Sequence, residues 1–83
     1  MTLPSQPVTL TVEQLAELNR QLSAMRHDIN NHLALILAAS ELLKLKPELA
    51  ERMQVMLHEQ PGRIGESMTK FTSQFEQALG IKR

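Results

Sequence analysis

Leu15–Leu43, LAELNRQLSAMRHDINNHLALILAASELL, is the stretch on which the fold turns. It holds neither Gly nor Pro, and Leu, Ala, Glu and Gln favour helix. Written as heptads, one seam runs Leu15, Leu18, Leu22, Met25, Ile29, His32, Ile36, Ala39 and Leu43. All but His32 are apolar, and steps of three and four alternate throughout, as in a long helix packed along one stripe. Upstream, Thr11 predicts the start. Its hydroxyl can accept from the amide of Gln14 while the Gln14 side chain reaches back, a capping box. Leu10 and Leu15 are spaced for a hydrophobic staple. The first helix is expected over about 12–45, roughly 50 Å at 1.5 Å per residue.

Downstream, Lys46-Pro47 ends that helix and starts another, because Pro disfavours helical geometry before it and suits a first helical position. Glu48 and Glu51 lie in the new first turn, where the helix dipole favours acid. A second apolar stripe runs Leu49, Met53, Leu57, Ile64, Met68, Phe71, Phe75 and Ala78 or Leu79, over about 47–79, and Gly80 is a natural terminator. Pro61-Gly62 interrupts it and leaves two readings, a break giving three helices or a kink keeping two. Leu57 to Ile64 is one heptad, so the phase survives the proline and favours one bent helix, although Pro-Gly is normally a strong breaker. Residues 1–10, with Pro4 and Pro7, read as a flexible lead-in, and 81–83 as a tail.

Two helices cannot enclose a core alone. After His32 the first helix is apolar around most of its circumference, with Leu33, Leu35, Ile36, Leu37, Leu42 and Leu43. One neighbour covers one stripe, so several sides demand several neighbours. The fold class expected is therefore all-α, a two-helix antiparallel hairpin whose second copy completes a homodimeric four-helix bundle.

Composition agrees with a thin core. The chain has 83 residues, 42% apolar and 22% charged, with Phe71 and Phe75 its only aromatic side chains. A compact chain this short buries only about 60% of its unfolded surface. Nine basic residues balance nine acidic ones, which argues against nucleic acid or a basic membrane binder as partner. Without Cys there is no disulfide framework, thiolate metal site or thiol nucleophile. The start of the chain lacks the pattern of a secretory signal. The longest apolar run, Leu33–Ala39, falls far short of the roughly 20 residues of a spanning helix. No membrane insertion and a cytoplasmic location are the expectations.

The chemistry lies in Arg26-His27-Asp28-Ile29-Asn30-Asn31-His32-Leu33. His27 falls opposite the seam, Asp28 flanks it, and Asn31 sits one turn on, on the face of His27. An imidazole, a carboxylate and a carboxamide thus share an exposed surface of a rigid helix. A neutral imidazole nitrogen can attack a phosphoryl group if a carboxylate sets its tautomer and accepts its proton. A carboxamide can orient a water for the reverse, hydrolytic step. A lone exposed His is ordinarily just solvated. Here, however, Asp and Asn residues displace better helix formers at a cost of a few tenths of a kcal/mol each.

This stretch resembles the phosphoacceptor box of bacterial sensor histidine kinases, in their dimerisation and histidine-phosphotransfer domain. The match is the His-Asp-x-Asn-Asn form, His27-Asp28-Ile29-Asn30-Asn31, continued by His32-Leu33 and Ala34-Leu35-Ile36-Leu37. Glu41-Leu42-Leu43 and Met68-Thr69-Lys70-Phe71 are also similar to that family, so the resemblance spans about 12–79. It implies that His27 is phosphorylated, that Asp28 is its acid/base neighbour, and that Asn31 orients ATP or water. It also implies a dimeric four-helix bundle. The expected function is a two-component phosphotransfer module exchanging phosphate with an aspartate of a response-regulator receiver domain. Docking is expected on Asn30 and Asn31, with the level stretch of helix 2 at Gly65, Glu66 and Thr69.

Two departures from the family matter. The ATP-binding domain is absent, and Gly62 and Gly65 lack the strand–loop–helix setting of a phosphate cradle. ATP use would therefore need a separate kinase domain, and no cofactor is expected in this chain. Many relatives carry Pro five residues after the histidine, where His32 stands here; Pro61-Gly62 is expected to supply the bend on helix 2 instead. Met1 and the lead-in suggest a natural start, against a fragment of a larger kinase. The alternative function is a non-catalytic dimerisation or adaptor bundle. No metal site is expected: His27 and His32 lie about 140° apart around the helix, and Asp28 with His32 lacks a third ligand. His32 is expected to be a buried polar residue of the seam, paired across the dimer. His58 reads as solvated, the Met residues as core fillers, and Ser-His-Asp catalysis has no support in order or spacing.

Overall fold

The computed structural model describes residues 3–80. The expected tail 81–83, and the first two residues of the lead-in, lie outside the described residues. Helix α1 spans Val12–Leu45, a 3-10 turn spans Pro47–Leu49, and helix α2 spans Ala50–Leu79. The described residues contain no strand.

Each boundary has a local cause. Thr11 Oγ1 accepts from the Gln14 amide at 3.1 Å, and Gln14 Oε1 accepts from the Thr11 amide at 2.8 Å. Thr11→Ala should cost about 1 kcal/mol, a fall in thermal midpoint of about 4–8 °C for a small domain. At the reversal, the Lys46 amide donates to the Leu42 carbonyl at 2.7 Å and the Leu49 amide to the Lys46 carbonyl at 3.0 Å. Pro47 opens this tight turn, so α2 begins three residues later than the proline alone suggests. Gly80 closes α2 at φ 71°, a left-handed geometry that costs glycine no Cβ clash.

Helix α2 continues through Pro61-Gly62. The reading with three helices is excluded. Pro61 has no N–H for the Leu57 carbonyl, a loss of one rung that the packing on both sides tolerates.

The helices run antiparallel, and their seam follows the heptads with informative exceptions. Leu18, Leu22, Met25, Ile29, His32, Ile36, Ala39 and Leu43 of α1 face α2 and are at least half covered. Leu15, expected in this seam, is 54% exposed. On α2 the seam passes through Met53, Leu57, Gln60, Ile64, Ser67 and Phe71. Met68, expected there, is 53% exposed. Four residues after Ile64 it lies one step around the helix from Ser67, and the three-residue step takes the seam. Phe71 and Phe75 pack with ring centroids 6.0 Å apart.

The hairpin is one helix thick. It measures 57 × 25 × 12 Å, and 12 Å is a single helix diameter. Its radius of gyration, 17.9 Å, compares with about 12 Å for a compact domain of this length. Among the described residues, Ala39 and Met53 are the only buried apolar ones.

The two flat faces differ. At about 100° per residue, one carries Glu17, Gln21 and Asp28 of α1 with Arg63, Lys70 and Gln74 of α2. The other carries Leu15, Leu22, Leu33 and Leu37 of α1 with Leu57, Ile64, Met68, Phe75 and Leu79 of α2. Leu33 and Leu37 are 50% and 62% exposed. Apolar side chains dominate one face, which also carries Arg26, while the other is charged or amide-bearing as far as Asp28 and apolar beyond it at Leu35 and Leu42. Among the described residues, no helix is long and apolar enough to cross a membrane.

Candidate functional site

The site builds on the middle of α1, where unbroken helix holds each side chain at a set angle from the seam. His27 points about 180° from it and is exposed, as are Asp28, Asn30 and Asn31. The Asn31 carboxamide reaches the His27 ring, with Nδ2 3.5 Å from Nδ1. That is a long contact, at the outer limit of a hydrogen bond. It engages Nδ1, and among the described residues Nε2 has no protein partner. If the carboxamide makes a half-turn its oxygen accepts from Nδ1–H, which leaves the Nε2 lone pair free as a nucleophile.

Asp28 lies elsewhere. One residue on, it rotates about 100° onto the polar face, where it lines an open groove with Glu17, Arg20, Ser67, Lys70 and Gln74. No hydrogen bond joins it to His27. Within this groove the Arg20 guanidinium bonds the Glu17 carboxylate. That hydrogen bond, then its charge, holds the Glu17 carboxyl below its ordinary value and the Arg20 guanidinium above its own. Both side chains are exposed, so the pair shapes the groove's charge more than it stabilises the helix.

The expected docking patch divides. Gly65, Glu66 and Thr69 are exposed on α2, but they too point away from the seam. The outer faces of two adjacent helices look in opposite directions. His27, Asn30 and Asn31 therefore share no single surface with Gly65, Glu66 and Thr69 on one chain. Their equal height along the hairpin says nothing of azimuth, and azimuth is what separates them.

The feature that sequence reasoning missed is Gln60. It is buried, and its Oε1 accepts from His32 Nδ1 at 2.7 Å while its Nε2 donates to the Met56 carbonyl at 3.3 Å. His32 is thus half-buried in the seam, and its Nδ1 is paired across the hairpin. The available signal was phase: Gln60 falls three residues after Leu57 and four before Ile64, a seam position that its polarity disguised. This pair sets the register of α1 against α2. Gln60→Ala should cost about 1–3 kcal/mol by stranding the His32 donor, whereas replacing both residues by Leu should be far milder. Thermal denaturation of the four members of that cycle, at one protein concentration, measures it.

His58 is exposed on the outer side of α2. No group of three or more His, Cys, Asp or Glu able to hold a metal ion occurs among the described residues.

Comparison with known protein families, curated proteins and solved structures finds no match. The resemblance to the phosphoacceptor box therefore rests on its residues alone.

Proposed function

We propose that this chain is a histidine phosphotransfer module that works as a homodimeric four-helix bundle. The observation that carries the reading is the outward imidazole of His27 with the Asn31 carboxamide on its Nδ1. In the proposed step the Nε2 lone pair attacks the phosphorus of an aspartyl phosphate on a receiver domain. The N–P bond forms as the P–O bond to aspartate breaks, and that electron pair leaves on the receiver carboxylate. The Nδ1 proton passes to Asp28, which a rotamer change brings back toward the ring, and the reverse step returns it. Asn31 holds the ring for attack and can orient water for hydrolysis.

The dimer is supported by surface area. The chain exposes 6657 Å², against about 5,000 Å² for a compact monomer of this size. The excess includes the exposed lead-in as well as the open hairpin. Its scale matches what each partner of an obligate dimer buries, on the order of 1,000–2,500 Å². The apolar face of the hairpin is the surface that a second copy would cover. That arrangement turns His27 outward and leaves the polar groove open.

The test is transfer. The chain is mixed with receiver domains from its own genome, each phosphorylated beforehand, and intact mass with acid lability reports a phosphohistidine. A mass gain of one phosphate that depends on His27 supports the reading. A folded dimer that accepts phosphate from none of them overturns it and favours the adaptor bundle.

A further inference from the structure

We propose that the polar groove between the two helices binds a free α-amino acid with an apolar side chain, and that the bound ligand slows phosphotransfer by holding Asp28. The site stands on the groove alone. Its effect on transfer rests on the reading of His27 given above and deepens it.

The groove has a local origin. Ala24 of α1 and Ser67 of α2 are small, and they stand among the longer side chains of Gln21, Asp28, Lys70 and Gln74. The shortfall in side-chain volume leaves an open cavity of about 230 Å³ on the polar face. Pockets for drug-sized molecules run to roughly 300–1,000 Å³, so this one suits a smaller metabolite. Its floor is apolar, formed by Met25 and Phe71, both half-buried in the seam. Phe71 in turn packs against Phe75.

The charges around that floor are of both signs and are not equally free. Glu17 already holds Arg20 on one carboxylate oxygen and Gln21 on the other. Asp28 and Lys70 are exposed, and neither makes a hydrogen bond or ion pair with another described residue. An anion on α1 and a cation on α2 thus border one apolar floor without pairing with each other. A zwitterion bridges them: its ammonium meets the Asp28 carboxylate, its carboxylate meets the Lys70 ammonium, and its side chain lies over Met25 and Phe71. The Ser67 hydroxyl and the Gln74 amide add donors for the ligand carboxylate. Two acidic and two basic side chains line the groove, so it has no net charge with which to gather phosphate or a polyamine. A ligand that is itself neutral but carries both charges is the one it matches.

Binding reaches the chemistry through Asp28. That carboxylate stands in the groove, and the proposed transfer needs it at the His27 ring. A bound ammonium stabilises the groove rotamer, and a ligand shifts such an equilibrium by its difference in affinity for the two states. If Asp28 contributes about tenfold to affinity, saturation slows transfer by about the same factor.

The isotope-labelled chain is titrated with L-leucine and followed by amide NMR. Saturable shifts are expected on both walls of the groove, with a dissociation constant of about a millimolar, because screened charges in an open groove give modest affinity. N-acetyl-leucine, without the ammonium, and leucine amide, without the carboxylate, should each bind about tenfold more weakly. Asp28→Asn should erase the preference for leucine over the acetylated form, and Lys70→Gln the preference over the amide. Both positions are exposed, so the variants keep the fold. Without leucine, phosphotransfer to Lys70→Gln should match the wild type, and about tenfold more leucine should be needed to slow it. No saturable shift with leucine, isoleucine, methionine or phenylalanine overturns the site, as do shifts that survive both variants unchanged. Saturable binding beside transfer that leucine leaves unaltered overturns the coupling through Asp28. Saturable binding by a chain that accepts phosphate from no receiver removes the phosphotransfer reading and keeps the site.

Discussion

His27→Gln should abolish acid-labile phosphate on the chain while helix content, thermal midpoint and oligomeric state stay as in the wild type. The reasons are separable. Glutamine keeps polar bulk on the outer face, has slightly better helix propensity than histidine, and replaces a residue whose one side-chain hydrogen bond among the described residues is the long one to Asn31. Substitutions at such positions usually change stability by less than about 0.5 kcal/mol. A carboxamide nitrogen, by contrast, has its lone pair delocalised into the carbonyl and cannot displace a carboxylate from phosphorus. Loss of signal should therefore be complete at the sensitivity of intact mass. A variant that unfolds or dissociates would show that His27 has a structural duty, against its exposed position.

Leu37→Glu should split the proposed dimer, and Leu35→Glu should not. The two residues are two apart on α1 and both exposed in the hairpin, at 62% and 43%. They lie on opposite flanks of the seam: Leu37 toward the apolar face, Leu35 toward the polar one. Burying a leucine stabilises by about 2 kcal/mol, and the dimer contains two copies. Losing both raises the dissociation constant roughly a thousandfold, before the cost of leaving a carboxylate in the interface. Sedimentation or light scattering over a dilution series measures the shift. Because the hairpin alone buries only Ala39 and Met53 among its described apolar residues, the Leu37→Glu chain should also lose helix content as it dissociates. Equal behaviour of the two variants would refute the assignment of faces on which the proposed dimer depends.

The candidate site shows how far a one-dimensional pattern reaches. The outward placement of His27 and the i,i+4 approach of Asn31 follow from helical spacing, and both can be written from the sequence. The position of Asp28 in a separate groove also follows from a 100° step, but only once a neighbouring helix makes that groove. Gln60 was illegible for a different reason. A polar residue at an apolar phase reads as a gap in the stripe until its partner, His32, is seen across the seam. The two halves of the docking patch lie apart on one chain for a third reason. Height along a hairpin can be counted from its turn, whereas the direction a side chain faces depends on which side the other helix occupies.

What the sequence determined by itself was local. It set where α1 starts at the Thr11 capping box, where the chain reverses at Lys46-Pro47, where α2 stops at Gly80, and which residues of α1 form its seam. Each rests on interactions spanning a few residues, or on one repeat period. Tertiary structure alone decided that α2 survives Pro61-Gly62, that Met68 leaves the seam while Gln60 enters it, and that the outer faces of the two helices diverge. Those outcomes turn on packing between residues some 30 or more positions apart, where the covering of side chains outweighs a missing backbone rung or a local propensity.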